Sequence, residues 1–278
     1  MEFVEFVKAH GSGNDFVVVE DLADRYRITP ELVRAVCDRH FGIGADGLIR
    51  IAPGIAAPYF MDYRNADGSL AEMCGNGVRV VGKYLGDRGY VGSTLDLETR
   101  AGVKHLELHA DDRGGVDRVT VDMGPPVLEE QDRKLEVDGR VVTATCVSMG
   151  NPHAVLFVDD VDAAPVRTLG PALGRHPAFP QGTNVEFVQV VGDGVVRQRT
   201  WERGVGETLA CGSGACAVAV AAQARGLAGR PLRVELRGGN LELDWTPGGG
   251  VRMTGPAREV AHGTIAPDLL AGLPPVTG

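Results

Sequence analysis

The sequence predicts an α/β chain of the α+β type, made of two pseudo-symmetric halves, each a curved, mostly antiparallel or mixed sheet wrapped around a central helix. Three observations carry this. Short β-rich runs punctuated by glycine and aspartate fill both halves. The motifs Met73-Cys74-Gly75-Asn76-Gly77 and Ala210-Cys211-Gly212-Ser213-Gly214 stand 137 positions apart (211 − 74), and the same offset carries Gly13-Asn14 onto Gly150-Asn151, Gly47 onto Asn184 and Asn65 onto Glu202. After each motif comes a helical segment, Val78 to Leu85 or Ala215 to Ala224, apolar or small around most of its circumference, as suits a helix enclosed by other structure. A duplicated unit presents two equivalent residues across a pseudo-two-fold axis, the geometry needed to approach one carbon atom from opposite faces.

In chain order, the first half has strand runs at Phe16 to Val19, Gly47 to Ile51, Tyr59 to Tyr63, Thr94 to Glu98, Val103 to Leu108 and Val119 to Val121. Between them Thr29-Pro30-Glu31 reads as an N-cap with Pro at the first helical position, opening a helix through about His40 on apolar Leu32, Val33 and Val36. Gly124 to Glu130, with Pro125-Pro126, reads as the linker, so the halves are expected at 1–125 and 126–256. The second half has runs at Val141 to Val147, Ala154 to Val158, Asn184 to Val191, Val195 to Arg199, Leu232 to Leu236 and Leu241 to Trp245. Its turn Thr246-Pro247-Gly248-Gly249-Gly250 leads into Val251 to Thr254.

With 44% hydrophobic and 23% charged residues the composition is globular. There is no run of about 18 apolar residues, and Met1-Glu2-Phe3-Val4-Glu5 lacks the basic start of a signal peptide, so a cytoplasmic location is expected. A net charge of −9 without a basic run argues against nucleic acid or an anionic membrane as partner, leaving a small molecule. Cys37, Cys74, Cys146, Cys211 and Cys216 are odd in number and lack Cys-x-x-Cys spacing, which favours reduced thiols over a disulfide framework or a metal site.

Each motif cysteine precedes Gly-x-Gly and a helix, so its sulfur is expected where unpaired N–H groups and the macrodipole favour anions. That location lowers a thiol pKa from about 8.5 toward working pH. Glycines without side chains also let a substrate carboxylate approach the backbone N–H groups closely. Removing a proton alpha to a carboxylate builds charge onto it, and donors aimed from two helix ends would stabilise that charge without a cofactor. The structural alternatives are two small buried hydrophobes or a disulfide; duplication with matching glycines favours chemistry. Cys37, Cys146 and Cys216 read as packing.

Around the cysteines, Asn14 and Asn151 offer amide donors and acceptors suited to an amino acid's ammonium and carboxylate. Asn65 leads toward Cys74. Arg203 is a candidate bidentate carboxylate clamp, Glu202 a candidate partner for an ammonium, and His153 a candidate for tuning thiolate formation.

At these residues the chain closely resembles the diaminopimelate epimerase family. The matching runs are His10-Gly-Ser-Gly-Asn14-Asp-Phe16, Arg39-His40-Phe-Gly-Ile-Gly-Ala-Asp46, Asn65-Ala-Asp-Gly-Ser69, Met73 to Gly77, Gly150-Asn-Pro-His153, Gly182-Thr-Asn-Val-Glu186, Glu202-Arg-Gly204 and Gly206 to Ala215, in family order over nearly the whole chain. The resemblance implies cofactor-independent conversion of LL- to meso-diaminopimelate, on the route to lysine and peptidoglycan, with Cys74 and Cys211 as thiolate and thiol. It implies that Asn14, Asn65, Asn151, Asn184 and Arg203 hold the substrate, with Glu202 at the reacting site or its ammonium. Backbone groups of Gly75-Asn76 and Gly212-Ser213 would bind the carboxylate, and His153 and Glu202 would tune the cysteines. It further implies a cleft between the halves, a C-terminal stretch (about Ala257 to Leu270) completing the first half, and a homodimer. One departure is visible: some members carry glutamine where this chain has Gly47. The rivals are a proline racemase or hydroxyproline epimerase, which the asparagine set and Arg203 disfavour, and a non-catalytic, redox-sensitive amino-acid binder.

Overall fold

The computed structural model describes residues 4–71 and 73–270. They form two compact units, one of residues 4–121 with 256–270, the other Asp122–Gly255.

In the first unit the strands are β1 (Val4–Gly11), β2 (Asn14–Glu20), β3 (Gly47–Pro53), β4 (Tyr59–Asn65), β5 (Thr94–Thr99), β6 (Gly102–Ala110) and β7 (Val116–Asp122), joined by β17 (Arg258–Ile265). They pair in the order β17-β1-β2-β3-β4-β5-β6-β7, parallel at β2-β3 and β4-β5 and antiparallel elsewhere. Helix α1 (Pro30–Cys37) buries Leu32, Val33 and Val36 with Val17, Val19 and Leu48, and Thr29 Oγ1 accepts from Leu32 N at 3.3 Å as its N-cap. Helix α2 (Gly75–Asp87) touches β1, β4, β6 and β17, so the sheet curls around it. The short α5 (Pro267–Leu270) follows β17 and meets α1.

The second unit has β8 (Val127–Val137), β9 (Arg140–Ser148), β10 (Pro152–Phe157), β11 (Asn184–Gly192), β12 (Val195–Glu202), β14 (Leu232–Leu236), β15 (Gly239–Trp245) and β16 (Val251–Pro256), with the short β13 (Gly206–Thr208) folding back on β12. The pairing order is β8-β9-β10-β11-β12-β14-β15-β16, again parallel at two places, β10-β11 and β12-β14. Helix α3 (Val166–Gly174) packs on β11 and β12, and α4 (Gly212–Ala224) is encircled by β8, β9, β10, β11, β14 and β15.

The offset seen in the sequence is also the offset of the hydrogen-bond ladders. Phe16 opposes Gly47 as His153 opposes Asn184, and Leu48 opposes Arg64 as Val185 opposes Trp201. Both α2 and α4 run for 13 residues from a cysteine N-cap.

Two sequence expectations need correction. The linker shrinks, because Val127 onward forms β8 against β9; the prolines block ladder hydrogen bonds only up to Pro126, and the polar run after them is a largely exposed strand. Helix α1 stops at Cys37 rather than about His40: Asp38 Oδ1 accepts from His40 N and Phe41 N, both at 2.8 Å, and this turn replaces the next helical one. Helix α2 is enclosed as expected, and even Arg79 on it is wholly buried. Among the described residues no helix is long and apolar enough to cross a membrane.

Candidate active site

In the first unit Cys74 is the N-cap of α2, with extended backbone (φ −138°, ψ 112°) and no side-chain hydrogen bond to the first turn. Its Sγ lies 3.5 Å from Asn14 Oδ1 at the start of β2, which also accepts from Asn76 Nδ2 at 3.2 Å. Asn14 in turn donates to Asp46 Oδ2 at 2.8 Å, and Arg39 bridges Asp46 and Asp15. Beneath the helix start, Arg79 donates to Asn76 Oδ1 (2.9 Å), Ser12 Oγ (3.2 Å), Gly75 O (3.2 Å) and Pro256 O (3.3 Å). Asn65 closes a turn after β4, its Nδ2 donating to Ser69 Oγ at 3.0 Å. Because Phe16 opposes Gly47 and Gly47 opposes Asn65, these polar groups share one end of three adjacent strands. At Gly47 a Cβ would meet Arg64 O at 2.5 Å and Tyr63 Cε2 at 2.6 Å, so the backbone here admits no side chain without moving.

In the second unit Cys211 caps α4. Its Sγ accepts from Gly214 N at 3.4 Å and lies 3.6 Å from Ser213 Oγ. Asn151 Nδ2 donates to Ser213 Oγ at 3.4 Å, while its Oδ1 meets His153 Nε2 at 3.0 Å. His153 Nδ1 lies 2.8 Å from Glu186 Oε1, with both side chains fully buried. Asn184 sits at the start of β11, accepting from Arg203 N at 2.9 Å and donating to Pro152 O at 3.1 Å. Glu202 ends β12, where Thr208 Oγ1 donates to it and Cys211 lies alongside. The guanidinium of Arg203 is outside this cluster, exposed and donating to Gln181 O at 2.8 Å.

The electrostatics of Cys211 reverse the expectation from its place at a helix start. Burial pushes its thiol well above the ordinary value; the charges of Glu202 and Glu186 add to this, and the Ser213 and Gly214 hydrogen bonds do not overcome them. A dipole contribution that acts within one turn is outweighed by desolvation plus two nearby carboxylates. The Cys211 thiol therefore keeps its proton at neutral pH.

Glu202 is raised too, first by burial and further by the charge of Glu186, against the hydrogen bonds from Thr208 and Cys211. In the unfolded chain its carboxyl ionises near pH 4.3, about the reference value. Its contribution to stability is therefore complete below that pH and is lost as pH rises toward the higher folded value. Glu202→Gln cannot ionise, so its Tm advantage over the parent is expected to grow from about pH 4 to about pH 8. Thermal melts across that range check this, and a flat difference would refute the raised carboxyl.

The sequence assigned no role to Glu186, Thr208, Asp46 or Arg79. Glu186 was detectable: in the β11 run it shares a face with Asn184 and Val188, and a charge on the inward face of a buried strand calls for an explanation. Arg79 gave no comparable signal, because a single arginine on a helix is ordinarily solvated.

The fold alone places the chain in a class. It is shared with a probable proline racemase from Agrobacterium radiobacter (TM-score 0.74, 19% identity, 95% of this chain and 93% of that one). A PhzF-family phenazine biosynthesis protein from Bacillus anthracis has it as well (TM-score 0.74, 15% identity, 96% and 100%). Sequence narrows the class. The diaminopimelate epimerase family model matches residues 6–129 and 145–260. Proteins named diaminopimelate epimerase from Leptospira biflexa (46% identity over 276 residues, 94% of this chain and 99% of that one) and Moorella thermoacetica (47% over 280, 95% and 100%) align along nearly their whole length. The chain belongs to the diaminopimelate epimerase family.

Proposed function

We infer that this chain is an isomerase that epimerises LL-diaminopimelate to the meso form, supplying lysine and cell-wall precursor synthesis, by a two-base reaction in the cytoplasm. The observation carrying the assignment is the match along nearly the whole chain to relatives named for that activity. Two cysteine-capped helix starts, one in each repeat, support the chemistry.

In this reading one cysteine thiolate takes the alpha proton and the electron pair moves into the substrate carboxylate. The other cysteine's thiol gives its proton to the opposite face, inverting the centre. The two sulfurs end with exchanged protonation, and the reverse reaction exchanges their roles. Burial and the charges of Glu202 and Glu186 favour the protonated form of Cys211, the form in which it acts as the acid.

Backbone N–H groups of Gly75-Asn76 and Gly212-Ser213 would receive the reacting carboxylate at the two helix starts, where the charge developing in the transition state is stabilised. Asn14, Asn65, Asn151 and Asn184 would orient the amino-acid ends. Arg203, once turned inward, would clamp a carboxylate, and Glu202 would take an ammonium. His153 acts on Cys211 through Asn151 and Ser213. The active form is proposed to be a homodimer, and the reaction to need no cofactor.

A proline racemase reading has the weaker support, because likeness to such structures is at 19% identity and concerns the fold. Incubation with LL-diaminopimelate, and separately with L-proline, in deuterated water tests the assignment by NMR. Alpha-deuterium enters diaminopimelate with formation of the meso isomer, and proline stays protonated. Binding of diaminopimelate without exchange would leave only a binder and sink the assignment.

A further inference from the structure

The Asn151–Ser213 contact beside Cys211 has its counterpart in Asn14–Asn76 beside Cys74, but the Glu186–His153 pair behind it has none. The offset equates His153 on β10 with Phe16 on β2, and Glu186 on β11 with Ile49 on β3. The ladders agree: Phe16 opposes Gly47, His153 opposes Asn184, and Ile49 and Glu186 each follow two residues later. All four side chains are buried. One repeat thus fills this space with an aromatic ring and a branched alkyl group, the other with an imidazole and a carboxylate. Packing does not require the polar pair, since desolvating ions is costly and apolar groups of similar volume are often as stable or more so. The first repeat is the demonstration, within the same chain, that this fold closes without it.

The pair leads to the sulfur. Glu186 Oε1 holds His153 Nδ1 at 2.8 Å, His153 Nε2 meets Asn151 Oδ1 at 3.0 Å, Asn151 Nδ2 donates to Ser213 Oγ at 3.4 Å, and Ser213 Oγ lies 3.6 Å from Cys211 Sγ. Gly214 makes room for the carboxylate: a Cβ there would lie 2.7 Å from Glu186 Oε1 and 3.2 Å from Cys211 Sγ. At Gly77, the equivalent position, the nearest such neighbour is Ile49 Cδ1 at 3.0 Å. Glu186 Oε2 is buried with no hydrogen-bond partner, an arrangement with a cost in stability. The titratable groups around Glu186 are His153 from β10, Glu202 from β12 and Cys211 at the head of α4.

We propose that Glu186 is a positioning residue for the epimerisation: by holding one ring nitrogen of His153 it aims the other at Asn151, and so turns the Asn151 amide toward Ser213 and the sulfur of Cys211. This rests on the reading of Cys211 as one of the two bases. The test compares the parent, Glu186→Gln and the double variant His153→Phe/Glu186→Ile, which copies the first repeat, by steady-state epimerisation between about pH 6 and 9 and by Tm. Glu186→Gln is expected to fold, to hold KM within about twofold, to lose at least roughly tenfold in kcat, and to move the pH profile of kcat. The double variant is expected to melt at or above the parent and to be inactive. Parental kcat in folded Glu186→Gln, a kcat loss with an unmoved pH profile, or a folded and active double variant overturns the proposal. If Glu186→Gln does not fold, the double variant decides alone, and its own failure to fold would make the pair structural and overturn the proposal as well. Turnover by the parent reports separately on the epimerase reading, because an inactive parent sinks that reading, whereas an active parent matched by Glu186→Gln sinks only this one.

Discussion

Cys74→Ala and Cys211→Ala each abolish epimerisation of LL-diaminopimelate, with kcat/KM falling by at least about 10³-fold. In the proposed two-base reaction each sulfur performs one of the two proton transfers, so loss of either stops inversion. The folded chain makes these variants clean. Cys74 provides no side-chain cap to α2, and the contacts of the Cys211 sulfur with Gly214 N and Ser213 Oγ are long, 3.4 and 3.6 Å, so folding is expected to survive truncation of either sulfur. Meso product is followed by NMR in deuterated water, with Tm recorded alongside. Retained turnover in either folded variant would eliminate the two-base scheme.

Arg79→Met is expected to destabilise the chain, by about 1–3 kcal/mol for each buried acceptor it leaves without a partner. Arg79 is wholly buried and supplies donors to Ser12, Gly75, Asn76 and Pro256, all left without that donor by a thioether. For a chain of this size the expected fall in Tm is roughly 10 °C. Activity should fall as well, because Asn76 loses the contact that orients it toward Asn14 beside Cys74. Arg79→Lys keeps the charge without the planar fork and should recover only part of the loss. A Met variant that melts with the parent would show that the guanidinium is not a keystone of the helix start.

The strand runs named from the sequence coincide with observed strands because each is a short alternating or apolar run bounded by turn residues, a signal carried by near neighbours. The elements that escaped notice have local reasons. Strand β8 is charged and largely exposed, so it reads as loop until β9 pairs with it. Helix α3 contains Pro171 after Gly170, a pair that reads as a helix breaker. A Cβ at Gly170 would meet Trp201 Cβ at 2.7 Å, so close packing against Trp201 holds that helix in place of local propensity.

The neighbourhood of each cysteine divides in the same way. That Asn14 and Asn151 accompany the two sulfurs was readable from the duplication, and both lie in the hydrogen-bonded groups around them. Arg203 was readable as a residue type only, since its guanidinium direction depends on the loop carbonyl it meets.

By itself the linear sequence determined the repeat, the cysteine-capped enclosed helices and the family, because these reside in residue identity and short-range pattern. The tertiary structure alone decided that Cys211 is held as a thiol, that Arg79 anchors one helix start, and that a buried Glu186–His153 pair backs the other. Desolvation and charge proximity arise between groups far apart in the chain, and they exist only once the strands are in register.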